Sequence, residues 1–343
     1  MKYVIEPMQF ALDEKFSEED FLLFLKRLFD WKEHIIKYPN DFYVLSKTQY
    51  ILGNLYPLKH VFDKMDSKFH HIAHGHDIDS LISTILYQAK KIDEECGDLN
   101  EELVDITACN KKQTELINKS DSLKQTLWYT NCHKISSNKR DDSYVVFASN
   151  INDCLSLTFN TNNLIEEKGN CVLKPTTHKM NIKCNSSIKD FYKDPNVPSL
   201  IWKNAETATD LDYGLRIFIC QSEKMKNPKE LNKICTFYIQ DSFFEDYCDG
   251  HYNSRPAAIT SIMESIRDAV LDRNQKLLHH ERIKKTHSPH RILPNGYSAL
   301  RRNCTTSFKL AFWKKGRDYW IANVKEHDFV HASDEFSKGK RIS

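Results

Sequence analysis

Glycine and proline are scarce in this 343-residue chain, at 9 and 10 residues. That scarcity excludes a collagen-like repeat and argues against a linker-rich, disordered chain. No stretch approaches the roughly 20 consecutive apolar residues that span a bilayer, so no membrane attachment is expected. The opening Met1-Lys2-Tyr3-Val4-Ile5-Glu6-Pro7 reaches Asp13 and Glu14 before any signal-peptide core develops, and a cytoplasmic location is expected. The ten cysteines are scattered, none in C-x-x-C spacing, which leaves a zinc ribbon or redox dithiol without support. In a chain this long they read as reduced, small apolar residues rather than a disulfide scaffold. Also missing are G-x-x-x-x-G-K-[ST], G-x-G-x-x-G after a strand, G-x-S-x-G and the kinase set. A nucleotide-driven motor and a dinucleotide oxidoreductase are therefore disfavoured, no cofactor is expected, and an ATPase would enter only as a partner.

What is present suits a globular protein of two or three domains: 40% hydrophobic and 28% charged residues. The net charge of +2 conceals a division. From His251 to Ser343 there are 18 Lys and Arg against 9 Asp and Glu, a balance of +9, so the first 250 residues carry −7. A tail of this sign suits phosphate partners or an acidic protein surface.

The first part of the chain reads as helical. Ser17-Glu18-Glu19-Asp20 has the form of an N-cap with an acidic first turn. Phe21, Leu22, Phe24, Leu25, Leu28, Phe29 and Trp31 follow as a broad apolar stripe. A second helix is predicted from Ile78 to about Cys96, and a more polar third from Glu101 to Trp128. After about Lys139 the character changes. Tyr144–Ala148 and Leu155–Phe159 read as strands, as do Leu215–Cys220 and Cys235–Ile239, with a helix between Trp202 and Tyr213. Pro256 opens an amphipathic helix through Val270, and Leu277 to Ile283 suggests a short second one. Strands are then expected at Gly296–Arg302, Ser307–Trp313 and Tyr319–Val324, the last two joined by Lys315-Gly316-Arg317-Asp318. The expected class is α+β: a helical domain over 1–138, a mixed α/β region over 139–250, and a basic helix-plus-antiparallel-sheet module over 251–343.

The closing run Gly296-Tyr297-Ser298-Ala299-Leu300-Arg301-Arg302, then Phe308-Lys309-Leu310-Ala311-Phe312-Trp313, then Tyr319 to Asp328 with His327 at its end, resembles the RelE/ParE-type toxin fold. Many members of that fold are metal-independent ribonucleases, although the ParE branch lacks the activity. The resemblance covers about 80 residues. It implies His327 as general acid or base, with Arg301, Arg302 and Lys309 on the developing phosphorane charge. It also places Tyr297 where a base would stack. Two departures stand out: Lys309 falls where the family usually has Arg, and Asp328 adjoins His327. Upstream, Arg282, Lys284, Lys285 and Arg291, interleaved with His279, His280, His287 and His290, form a basic run suited to a phosphate backbone.

A second cluster runs from Phe69 to Asp79. His70, His74 and His76 are candidate ligands for a transition metal, with His70 and His74 at helical i,i+4 spacing. The alternative is a polar connecting loop, since Gly75 breaks the helix and no Glu completes H-E-x-x-H. A toxin-like module ending a large chain looks like the arrangement of bacterial conflict and phage-defence proteins. The expected function is a nucleic-acid-binding effector of that kind, acting on RNA or DNA, with metal-independent ribonuclease activity as what the resemblance implies if it is an enzyme. The alternative is a non-catalytic adaptor subunit that docks a partner such as a defence-system ATPase or nuclease and grips nucleic acid.

Overall fold

A computed structural model describes residues 1–13, 15–54, 58–96, 101–149, 151–167, 170–225, 228–274, 278–280, 290, 292–293, 295–304 and 308–326. The α+β class holds, and the chain divides into two units at Phe191/Tyr192.

The first unit is built on a mixed seven-stranded sheet. Its strands are β1 (Lys2–Ile5), β2 (Phe42–Val44), β3 (Lys90–Lys91), β4 (Glu101–Ala108), β5 (Tyr144–Phe147), β6 (Cys154–Glu167) and β7 (Asn170–Asn185), in the order β3-β2-β1-β5-β7-β6-β4. The pairs from β3 through β7 are parallel; β6 joins β7 and β4 in antiparallel fashion. Helices α1 (Glu18–Lys37), α2 (Thr48–Asn54), α3 (Leu58–Lys68) and α4 (Gly75–Gln88) fill the crossovers from β1 to β3, and α5 (Lys111–Asn118) and α6 (Asp121–Ser136) precede β5. Parallel strands are covered on both faces, and here α1 lays Trp31 against Phe147 at 4.7 Å while Leu123 and Leu127 of α6 pack with Val4 and Val146 on the other side.

Several expectations are met locally. Ser17 and Asp20 form a full capping box at the start of α1, and Phe21, Phe24, Leu28, Trp31 and Ile35 are its buried face. The predicted helix over Glu101–Trp128 is instead β4, α5 and α6. Asn110 and Ser120 break it by capping new helices, each accepting a backbone amide hydrogen bond through its side chain. Leu103 and Ile106, at the start of that predicted helix, sit on an edge strand paired with β6. The first 138 residues are therefore not all-helical, because β1, β2 and β3 are too short to carry a readable pattern and find their partners far along the chain.

The second unit holds a five-stranded sheet of β8 (Thr236–Ile239), β9 (Leu278–His280), β10 (Ser298–Asn303), β11 (Phe308–Lys315) and β12 (Asp318–Glu326), in the order β8-β12-β11-β10-β9. All pairs are antiparallel except β8 with β12. Around it lie α7 (Ile188–Lys193), in which the division falls, α8 (Val197–Lys203), α9 (Ala208–Ser222), α10 (Pro228–Leu231), α11 (Asp241–Asp249) and α12 (Pro256–Val270). One sheet face, carrying Phe237, Leu300, Leu310, Phe312 and Ile321, packs with α8, α9, α11 and α12. The predicted strand Leu215–Cys220 lies inside α9, where Leu215, Ile217, Ile219 and Cys220 are all buried; a short apolar run buried on most sides carries no period that separates strand from helix. Pro256 does open α12, and Gly316, at φ +59°, closes the β11–β12 turn. The expected helix at Leu277–Ile283 begins instead as β9, its remainder lying outside the described residues.

Candidate nucleic-acid interface

Residues on the face of the second sheet opposite Phe237, Leu300, Leu310 and Phe312 are ordered by strand register. The first row is Tyr238, Trp320, Trp313 and Ala299 across β8, β12, β11 and β10. The next is Asn323, Ala311, Arg301 and His279, and the third is Lys325, Lys309 and Asn303. Aromatic side chains thus adjoin a patch holding Arg301, His279, Lys309 and Lys325 on neighbouring strands, whose side chains on one face stand about 5 to 7 Å apart.

A β-bulge makes this grouping. Ala311 faces Asn323 but Phe312 faces Ile321, so Ala322 is an extra residue in β12. Strict alternation from Trp320 would send Val324 outward and Lys325 into the core. The extra residue reverses this: Val324 joins the core and Lys325 stands opposite Lys309. The sequence reading missed Lys325 and Asn303, since nothing in the run Ile321 to Lys325 announces a bulge. His279 was read only as part of the basic run and is placed beside Arg301 by β9 pairing.

Two lysines directly opposite repel, and Asp246 sets a carboxylate beside Lys325. Asp246 of α11 accepts from Asn323 Nδ2 at 2.8 Å and pairs with Lys325 Nζ at 3.0 Å. Arg301 is half-buried and makes no hydrogen bond or ion pair to the described residues. Lys309 is half-buried too. Trp313 and Trp320 are buried in a cluster with Ala299, Ala311 and Ala322, so the more accessible aromatics are Tyr238 and Tyr297, both half-buried against it. Lys315 donates to Asn295 O at 2.9 Å and stands 5.7 Å from the Tyr297 ring centre.

Arg302 is placed differently. Its neighbour in β10 faces outward, and alternation turns Arg302 to the helix side, where it is 1% exposed. It donates to Arg273 O at 3.0 Å and to Asp268 Oδ2 at 3.2 Å. Burial works against the Asp268 carboxylate, but hydrogen bonds from Arg267 and Asn274 and the charges of Arg267 and Arg302 hold its pKa below the ordinary value. Arg302 is thus an interior residue in an ion pair, and is not brought together with Arg301 and Lys309. His327, Arg282, Lys284, Lys285 and Arg291 lie outside the described residues.

The histidine cluster is likewise dispersed. Helix α3 ends at Lys68 and α4 begins at Gly75, so His70 and His74 share no helical face. Gly75 is needed where it stands: its N–H donates to Asp66 Oδ1 at 2.8 Å, and a Cβ there would meet Phe62 Cβ at 2.8 Å. His74 and His76 stack at 5.7 Å, with His76 beside Asp77 at 3.1 Å, all exposed. Among the described residues, no three His, Cys, Asp or Glu side chains are grouped to hold a metal ion.

No helix among the described residues is long and apolar enough to cross a membrane. Compared with known proteins, the chain matches no family model, no curated protein and no solved structure.

Proposed function

We propose that the second unit binds nucleic acid through the patch of Arg301, His279, Lys309 and Lys325 on its sheet, as the gripping part of a defence- or toxin-type effector. The observation that carries this reading is the register that sets Lys309 opposite Lys325 and diagonal to Arg301, with His279 opposite Arg301. Grouping cations on one face costs stability, and a polyanion would turn that repulsion into affinity by releasing counterions. Half-buried Tyr238 and Tyr297 at the margin would add stacking to a single strand.

Cleavage would need His327 together with cations at the phosphate. With Arg302 held in the interior, the described cations on that patch of the sheet are Arg301, Lys309 and Lys325. This favours gripping over turnover. The adaptor form of the reading draws support from α1, where Leu22, Phe29 and Ile36 stand exposed at seven-residue spacing, a stripe suited to a protein partner such as an ATPase.

The test is binding of labelled single- and double-stranded RNA and DNA across a salt series, with cleavage followed in EDTA. Arg301→Ala and Lys309→Ala are each expected to weaken binding to all sequences alike and to lower the salt slope by about 1. Absence of binding at low salt, or a slope unchanged in both variants, overturns the proposal. EDTA-resistant cleavage abolished by His327→Ala would establish turnover as well.

A further inference from the structure

The first unit contains a second candidate site that the sequence did not announce. In the order β3-β2-β1-β5-β7, the chain leaves β1 towards β2 and leaves β5 for the opposite side of the sheet. The carboxyl ends of β1 and β5 therefore flank the point where strand order reverses, which in open α/β sheets is where ligands bind. Glu6 immediately follows β1 and Ser149 lies just beyond β5. A crevice of about 360 Å³ opens there, within the size range of small-molecule sites. Met8, Ala11, Leu12, Leu116 and Leu123 give it apolar walls, and its charged groups are Glu6, Asp13 and Arg27.

Glu6 is only 2% exposed, yet it lines the crevice. Its carboxylate accepts from Ser149 N at 2.9 Å, Ser122 Oγ at 2.9 Å and Ser120 Oγ at 3.3 Å. All three donors are neutral, and none of the described residues forms an ion pair with it. Arg27, across the crevice, donates to Ala11 O at 2.8 Å. A buried carboxylate without a cation is a costly element, and proteins otherwise pair such charges. With Asp13 added, the carboxylates lining the crevice outnumber its one guanidinium.

We propose that this crevice receives a small organic cation, an ammonium or amidinium group on an apolar body, with the charged end against Glu6. The apolar walls suit the body, and the uncompensated carboxylate selects the charge. In the free protein, burial pushes the Glu6 carboxyl above its ordinary value despite the hydrogen bonds from Ser149, Ser122 and Ser120. The ionised form therefore destabilises the fold at neutral pH, a cost that a bound cation would offset. Anions are disfavoured by the same carboxylates, although the N-terminus of α6 lies close by.

Isothermal titration of the full chain with benzylamine, and with benzyl alcohol as its neutral counterpart, tests this. Benzylamine is expected to bind, the alcohol at least about tenfold more weakly, as befits a buried charge contact. Glu6→Gln is expected to lose the preference for the amine while melting no lower than the parent. Leu116→Trp, which fills the crevice from a half-exposed position, is expected to lose benzylamine whatever Glu6→Gln does to folding. Equal affinity for amine and alcohol, retention of benzylamine by Leu116→Trp, or no heat with benzylamine or benzamidine at millimolar concentration overturns the proposal.

Discussion

Arg301 and Arg302 are adjacent in β10, and the alternation of a strand sends them to opposite faces. One faces outward without a partner among the described residues; the other is sealed beside Asp268. Their substitutions should therefore separate cleanly. Arg302→Ala leaves Asp268 short of a partner in a confined place and is expected to cost about 3 kcal/mol in a denaturant titration. Arg301→Ala should stay within about 0.5 kcal/mol of the parent while weakening nucleic-acid binding. His133 of α6 makes a third residue-scale case. Its Nδ1 is 2.6 Å from Tyr144 OH and its Nε2 3.4 Å from Glu95. Burial lowers its pKa against the pull of Glu95, with Lys2 and Lys139 adding to the lowering. A group depressed in the folded state contributes stability that is complete above its unfolded value, near pH 6.5, and lost as pH falls through the folded one. Melting temperatures should therefore drop on acidification below about pH 6.5, and His133→Gln should flatten that limb.

At the scale of elements, the starts of α1 and α12 were legible, whereas the caps at Asn110, Ser120 and Thr207 were not read. Ser17 with Asp20 and Thr207 with Asp210 both build complete capping boxes. In the second Asp210 is buried, and it also accepts from Glu206 N at 2.8 Å. Thr207→Ala and Ser17→Ala should each cost about 1 kcal/mol in thermal or chemical denaturation. Asp210→Ala should cost about 2 kcal/mol, because Glu206 and Thr207 amides would both lose their acceptor. Strands were less legible. Tyr144–Phe147 is uniformly apolar and could be read, whereas β4 offers Glu101-Glu102-Leu103-Val104-Asp105-Ile106, whose apolar spacing fits a helix as well as an edge strand. The bulge at Ala322 shows the same limit at the candidate site. It is fixed by pairing with β11, not by any local preference, and it alone decides that Lys325 faces Lys309.

For the whole molecule, the division at Phe191/Tyr192 assigns the excess of positive charge to the second unit and the parallel sheet to the first. The boundaries expected near residues 138 and 250 reflected changes of composition. Contacts instead gather β5, β6 and β7 with β1, and α8 to α11 with β10 to β12. A fragment beginning at Ser187 is therefore expected to fold and to bind nucleic acid with the salt slope of the full chain. Loss of cooperative unfolding in that fragment, or a markedly smaller slope, would show that the first unit takes part in the grip.

By itself, the sequence determined the α+β class, the capped start of α1, the span of α12, the hairpin at Gly316 and the concentration of cations in the last third. All of these rest on interactions within a few residues or on counting. The tertiary structure decided that Lys325 stands opposite Lys309, that Arg302 is sealed beside Asp268, and that Glu6 and Ser149 converge with Ser120 and Ser122. Each of these depends on pairing between segments far apart in the chain. Such pairing is set by burial summed over the whole fold, and no local pattern encodes it.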